Sequence, residues 1–143
     1  MKSGIAATAL VSIGLLAAAG ARAAPPAYIV QDHSTEYLMD DATARAVWGE
    51  NIPPRLRALY PPRKWGFASE VEGGFNDAKT CIVTARAMIL PVSTTGRHLM
   101  YVPAKVAGAF DSIPNATLEQ CKQLSRSKLR EAIQAMVFAV SPR

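Results

Sequence analysis

Metal-ligating side chains are concentrated in one short segment, QDHSTEYLMDD at residues 31–41. His33 stands there among four carboxylates, which belong to Asp32, Glu36, Asp40 and Asp41. Imidazole and carboxylate groups are ligands that zinc accepts, but the H-E-x-x-H spacing that would place them around one ion is absent. Because a solvated acidic segment has the same composition, we predict no metal and no other cofactor.

Two glutamates have the residue type needed for acid and base catalysis of glycoside hydrolysis. Glu70 and Glu72 are two residues apart in WGFASEVEGGF, so they share one face of a predicted strand. With Arg86 expected beside them, the pair resembles an ordinary solvated face. A serine nucleophile lacks its G-x-S-x-G elbow, and His98 lies at a predicted hairpin tip. We therefore predict no catalytic residue and favour a binding domain over an enzyme.

The first 23 residues have the pattern of a cleaved export signal. Lys2 precedes an apolar run from residue 5 to 19, and Ala21-Arg22-Ala23 is a small-x-small cleavage sequence. The run is too short to span a bilayer comfortably, which favours a cleaved signal over a membrane anchor. We expect a mature chain of residues 24–143, without a transmembrane anchor, in the periplasm or secreted. The short alanine-rich leader is typical of bacteria.

Length and charge further restrict the class of protein. The chain has 143 residues and a formal net charge of +5, of which Lys2 and Arg22 belong to the leader. The remaining basic residues are scattered, whereas nucleic-acid binding usually needs a dense basic stripe, so we predict no nucleic-acid partner. About 120 residues after cleavage correspond to a single domain.

The two cysteines, Cys81 and Cys121, predict one disulfide. No C-x-x-C pair is present, so redox catalysis is not indicated. Two buried free thiols are the alternative, but an exported chain enters an oxidising compartment, which favours the bridge. Closing a loop of about forty residues would stabilise the fold by about 4 kcal/mol in the chain-entropy model.

Residues 115–140 predict a long amphipathic helix. Thr117 and Gln120 have capping-box spacing at its start, and Ser141-Pro142 follows its end. One helical stripe is apolar, and it contains Leu118, Cys121, Leu129, Ala132, Ile133, Met136 and Val140. A helix of this kind must pack on an apolar surface.

That surface is predicted to be an antiparallel sheet. Alternating side chains indicate strands near residues 65–75 and 81–90, and their apolar faces coincide when Glu70 lies opposite Arg86. After a turn at residues 93–96, we predict a third strand over residues 97–107. Its even-numbered residues should join the face that carries Cys81; they are Met100, Val102, Ala104 and Val106.

Together these elements predict an α+β fold, with a three-stranded antiparallel sheet packed against a C-terminal helix, a short N-terminal helical segment and one disulfide. The N-terminal segment begins with DDATARAVWGE, which Asp40 or Asp41 can cap.

The second face of the sheet has two interpretations. In the first, the N-terminal segment covers it, so that Trp48 and Leu59 reach Met88, Leu90 and their neighbours. Large exposed apolar patches are rare on soluble monomers, which favours this first interpretation. In the second, the face binds a partner. A second copy of the chain, docked through Leu90, Leu99 and Tyr101, is one such partner.

The functional prediction is an exported, non-catalytic protein-binding domain of the bacterial envelope that acts as an inhibitor, immunity or accessory factor. Its partner would be another envelope or secreted protein. The predicted contact residues surround the second hairpin tip, and they are Arg86, Arg97, His98, Leu99 and Tyr101. The alternative is a small periplasmic hydrolase or ligand-binding domain. It would use a cleft between the N-terminal segment and the sheet, lined by Glu70, Glu72, Arg86 and His33.

Overall fold

A computed structural model describes residues 27–141, so the predicted leader lies outside the described residues. The elements in chain order are β1 (Val30–Asp32), α1 (Asp41–Asn51), α2 (Leu56–Leu59), β2 (Trp65–Phe75), β3 (Cys81–Pro91), β4 (Lys105–Ile113) and α3 (Leu118–Val140). The strands form one sheet in the order β1-β2-β3-β4. The α+β class is confirmed, but the predicted three-stranded antiparallel sheet is wrong: the sheet has four strands and is mixed.

The additional strand is β1, which pairs in parallel with β2 and sets Gln31 opposite Ala68. The sequence analysis missed it because three residues are too few to show a period. The predicted β2–β3 register is confirmed, with Glu70 opposite Arg86 and Glu72 opposite Thr84. An opposite-charge pair across the strands and the burial of one apolar face both favour this register.

Both long helices begin with the predicted side-chain caps. The Asp40 carboxylate accepts a hydrogen bond from the Thr43 backbone N–H at 2.7 Å and starts α1. Thr117 and Gln120 form a reciprocal capping box at the start of α3. These bonds satisfy amide groups that have no partner within the helix. Leu118 lies just after the cap and is exposed, so its predicted place on the buried stripe is wrong.

The main core lies between one sheet face and both long helices. The Trp48 indole of α1 stacks on Phe67 of β2 with ring centroids 4.7 Å apart, and Phe67 lies on the same face as Cys81. The prediction that the N-terminal segment covers the second face is therefore wrong. Buried side chains of this core include Val47, Trp48, Phe67, Val71, Val83, Ile89, Leu129, Ile133 and Met136.

The disulfide joins the sheet to α3 as predicted. Cys81 begins β3, Cys121 lies in the first turn of α3, and their Cα atoms are 5.7 Å apart. Both residues are fully buried. None of the helices within residues 27–141 has the length and apolar character needed to cross a membrane.

The third predicted strand is displaced along the chain. Residues 92–104 form a loop, which we call the 92–104 loop, and β4 begins only at Lys105. Val106 lies opposite Met88, on the face away from Cys81, so the predicted inward set from Met100 to Val106 is wrong. Pro103 has no amide donor, and the Val102 N–H turns back to the Met100 carbonyl, which prevents a regular strand there.

The 92–104 loop covers part of the second sheet face. Leu99 is only 7% exposed and packs with Ala68, Met88 and Leu90 in a small separate core. Gly66 lies beneath it, where a Cβ atom would be 2.5 Å from a Leu99 methyl carbon. The 92–104 loop, together with Ile29, therefore buries Met88 and Leu90, and the predicted helical segment does not.

Candidate functional site

Polar and aromatic side chains gather on the part of the second sheet face that the 92–104 loop leaves open. We call Glu70, Glu72, Arg86, Tyr101 and His33 the open-face cluster. Glu70 and Arg86 are paired residues on β2 and β3, and Glu72 is two residues further along the same face. Tyr101 comes from the 92–104 loop, and His33 directly follows β1. Four separate segments thus contribute to one surface.

Arg86 is the charged centre of this cluster. Its Nε lies 3.3 Å from a Glu70 carboxylate oxygen, and its Nη2 lies 3.6 Å from a Glu72 oxygen. The Glu70 side chain is 19% exposed, while those of Arg86 and Glu72 are about half exposed. One guanidinium therefore orients two carboxylates on an accessible surface. The pair with the half-exposed Glu72 contributes little to stability.

Tyr101 lies beside these charges. Its ring meets the His33 ring edge-on, with centroids 5.6 Å apart, yet Tyr101 remains 56% exposed. Partial burial raises the pKa of its hydroxyl above the ordinary value; Glu70 raises it further, whereas Arg86 lowers it. The phenol consequently stays neutral at physiological pH and can both donate and accept hydrogen bonds.

The other predicted contact residues differ in accessibility. Arg97 and His98 are exposed in the turn, where Gly96 adopts φ +70° and the Ser93 N–H donates to the His98 carbonyl. Leu99 is buried beneath the loop. Arg97, His98 and Tyr101 can therefore reach a partner, whereas Leu99 holds the loop against the sheet.

The catalytic alternative is only partly consistent with this geometry. Its four residues do gather: Glu70, Glu72 and Arg86 make ion pairs, and His33 joins them through Tyr101. They lie on the open face, however, on the opposite side of the sheet from α1. The predicted cleft between the N-terminal segment and the sheet is filled by the core where Trp48 stacks on Phe67.

The acidic residues around His33 act mainly in local structure. The Asp32 carboxylate accepts hydrogen bonds from the Ser34 and Ser69 hydroxyls at 2.7 and 2.8 Å. Asp40 caps α1, and Asp41 pairs with Arg45 one turn later. Within residues 27–141 no three side chains of the metal-ligating types are grouped around one point.

A separate groove of about 440 Å³ lies on the helical side of the molecule. Its walls are the connection after α1 and the last turns of α3, including Asn51, Pro53, Gln134 and Phe138. None of the open-face cluster residues lines it, and its charged lining residues are Glu50 and Arg55.

Apolar side chains that the sequence analysis did not select as contact residues adjoin the open-face cluster. Phe110 on β4 is 80% exposed and lies opposite Thr84, while Val106 is 53% exposed and lies opposite Met88. Ile82 is exposed on the same face, and Met100 and Val102 are exposed in the 92–104 loop. The alternation of Val106, Gly108 and Phe110 indicates a strand that continues past residue 107. Because the predicted strand ended at residue 107, Phe110 was left outside it.

Comparison with known proteins assigns no family. No family model matches the chain, and no curated protein does. Among solved structures, two of the PelC dodecamer from Paraburkholderia phytofirmans, one of them a point variant, are similar at 9% sequence identity. They cover 79% of this chain and 94% of PelC, with TM-scores of 0.40 and 0.39. Similarity at this level transfers neither function nor assembly to this chain.

Proposed function

We propose that this chain is a non-catalytic protein-binding domain that uses the open-face cluster and the exposed tip of the 92–104 loop as its contact surface. Tyr101 carries the proposal, since it is 56% exposed, lies close enough to Arg86 to feel its charge and contacts the His33 ring. Tyrosine and arginine are enriched among residues that dominate binding energy at protein interfaces.

The composition of the surrounding surface supports the same interpretation. Met100 and Val102, the chain neighbours of Tyr101, are large apolar residues that remain accessible, and Glu72 and Arg97 are accessible charged residues of the same proposed surface. Specific interfaces combine accessible apolar and polar groups in this way. The sheet and the disulfide hold this surface on a rigid base, which reduces the entropy lost on binding.

We further propose that the domain acts in the periplasm or outside the cell of a bacterium, as an inhibitor, immunity or accessory factor for another envelope or secreted protein. The disulfide supports this location, because such bonds persist in oxidising compartments. The export signal predicted over residues 1–23 leads to the same compartment.

Quantitative capture from an envelope extract tests the contact surface. Wild-type protein should enrich a defined partner, and Tyr101→Ala or Arg97→Ala should reduce its recovery at least about tenfold if either is a dominant contact. Phe138→Ala is the matched control, because Phe138 is 77% exposed but lies on α3. Equal recovery with Tyr101→Ala and wild type would contradict the proposed surface.

The alternative of a small hydrolase or ligand-binding domain is favoured by one observation, the approach of two carboxylates to Arg86. Against it, the cluster lies on an accessible face instead of a cavity that excludes water, where electrostatic catalysis is weaker. A hydrolase would lose turnover completely on Glu70→Gln or Glu72→Gln. A binding domain would show no turnover before or after these changes.

A further inference from the structure

The outer edge of β4 is a long strand edge that the described part of the chain leaves unpaired. β4 has nine residues and lies at the end of the sheet, with β3 on one side and no strand of residues 27–141 on the other. An open edge presents backbone N–H and C=O groups that pair readily with another strand. The five residues from Val106 to Phe110 have no charge to oppose such pairing.

The sequence of β4 is complementary to itself in the antiparallel direction. When two copies are aligned with Gly108 opposite Gly108, Lys105 of each lies opposite Asp111 of the other. In the same alignment Val106 lies opposite Phe110, and Ala107 lies opposite Ala109. Opposite charges and large apolar side chains are favourable cross-strand pairs. A contact in which residue i meets j and j meets i is the kind that a two-fold dimer requires.

We propose that a second copy of this chain occupies the β4 edge, with the two β4 strands antiparallel and centred on Gly108. The two four-stranded sheets then form one continuous eight-stranded sheet. This proposal does not depend on the binding function of the open-face cluster. If both hold, the dimer presents two such clusters on one side of the shared sheet.

Neighbouring registers are less favourable, so the alignment is specific. Centring the pair on Ala107 places Lys105 opposite Ala109 and Val106 opposite Gly108. Centring it on Ala109 places Phe110 opposite Gly108 and Asp111 opposite Ala107. Both shifts lose the two ion pairs. Both also place a large apolar side chain opposite Gly108, whose side chain is a single hydrogen atom. Only the Gly108 register satisfies the charged and apolar residues together.

The exposed side chains of β4 are suited to this contact. Phe110 is 80% exposed and Val106 is 53% exposed, and both lie on the face away from the helices. Lys105 makes no ion pair within residues 27–141, whereas Asp111 lies 3.5 Å from Lys128. In the dimer, Phe110 of one copy covers Val106 of the other, and Lys105 gains a carboxylate partner. The side chains whose surroundings change in the dimer are already at the surface of the single chain.

Cysteine cross-linking measures the register directly. Gly108→Cys would bring two cysteines opposite each other at the dimer axis, where paired Cα atoms are about 4.5–5.5 Å apart and can form a disulfide. A Cβ at this position meets only ordinary contacts, the closest at 3.4 Å. We expect Gly108→Cys to form a covalent dimer under mild oxidation.

Two single variants serve as controls for the same register. Val106→Cys alone and Phe110→Cys alone should stay uncrosslinked, since like positions are about four residues apart along the strands. An equimolar mixture of the two should cross-link between copies. Failure of Gly108→Cys to cross-link, or efficient cross-linking of Val106→Cys alone, would overturn the proposed pairing.

Reversing the charge of Lys105 or of Asp111 tests the proposed ion pairs without introducing a cysteine. Lys105→Asp places two carboxylates opposite each other at each end of the interface, so it should weaken self-association about 10- to 30-fold. Asp111→Lys places two ammonium groups opposite each other at the same positions and should weaken self-association by a similar factor. Mixing the two variants restores opposite charges at both ends, so a heterodimer should form with near wild-type affinity. Sedimentation velocity on each variant and on the mixture gives these masses, and circular dichroism confirms folding. A wild-type monomer throughout the accessible concentration range would refute the dimer.

Discussion

The indole ring of Trp48 lies almost parallel to the ring of Phe67, with the planes 19° apart and the centroids at 4.7 Å. This stack attaches α1 to the same sheet face that α3 covers. The opposite face is consequently left to the 92–104 loop and to solvent, which is where Tyr101 and Arg86 are accessible. The position of one aromatic pair therefore decides which side of the sheet is available for binding.

Trp48 should be one of the most sensitive core positions. It is fully buried, so Trp48→Ala should lower the free energy of unfolding by about 3–5 kcal/mol. Its Nε1 atom is buried and has no hydrogen-bond partner among residues 27–141, so Trp48→Phe removes an unsatisfied group while keeping an aromatic ring on Phe67. We expect Trp48→Phe to cost only about 1–2 kcal/mol. Urea unfolding of both variants measures the difference, and equal losses would contradict the role given to the stack.

The disulfide should contribute mainly to stability. Replacing both Cys81 and Cys121 by Ala should lower the free energy of unfolding by about 2–5 kcal/mol, because the reduced chain gains unfolded-state entropy. Denaturant unfolding with and without reductant is the measurement. Reductant should weaken the wild-type protein and leave the double variant unchanged. A double variant as stable as the oxidised wild type would contradict this prediction.

Gly73 and Gly49 form a matched pair for the effect of an added methyl group. Gly73 has φ +133°, and a Cβ there would lie 2.0 Å from the Ile82 carbonyl oxygen, so Gly73→Ala should destabilise by about 1–3 kcal/mol. Gly49 lies in α1, and in the described part of the chain no atom outside its own helix turn lies within 4 Å of an added Cβ, so Gly49→Ala should stabilise by about 0.5–1 kcal/mol. Thermal unfolding of the two variants should therefore shift in opposite directions. An unchanged or raised stability of Gly73→Ala would show that β2 does not hold Gly73 in this conformation.

The pKa of Tyr101 reports the electrostatics of the open-face cluster. The positive charge of Arg86 favours the phenolate, so Arg86→Gln should raise this pKa. The negative charge of Glu70 disfavours the phenolate, so Glu70→Gln should lower it. Titration by NMR with labelled tyrosine follows the hydroxyl, and Tyr101→Phe identifies its signal among the four tyrosines. Shifts of the Tyr101 pKa in the opposite directions would show that the charges of Arg86 and Glu70 do not act on its hydroxyl.

The candidate site was predictable where it depends on local sequence. The pairing of Glu70 with Arg86 follows from alternation on two adjacent strands, and Tyr101 was selected because it follows a hairpin tip. The edge-on contact of His33 with Tyr101 was not predictable, because the two residues lie far apart in the chain and meet only after β1 joins the sheet. Phe110 was missed because its strand begins eight residues later than predicted.

By itself, the sequence determined the features that depend on residues close together in the chain or on a covalent bond. These are the helix caps, the amphipathic period of α3, the β2–β3 register and the Cys81–Cys121 bridge. Tertiary structure alone decided which face α1 covers and where β4 begins. Both depend on which side of a strand each residue faces, and a shift of one residue reverses that side. Only the packing of Trp48 on Phe67 and of Leu99 on Met88 and Leu90 selects between the two arrangements, because each buries apolar surface that the other would expose.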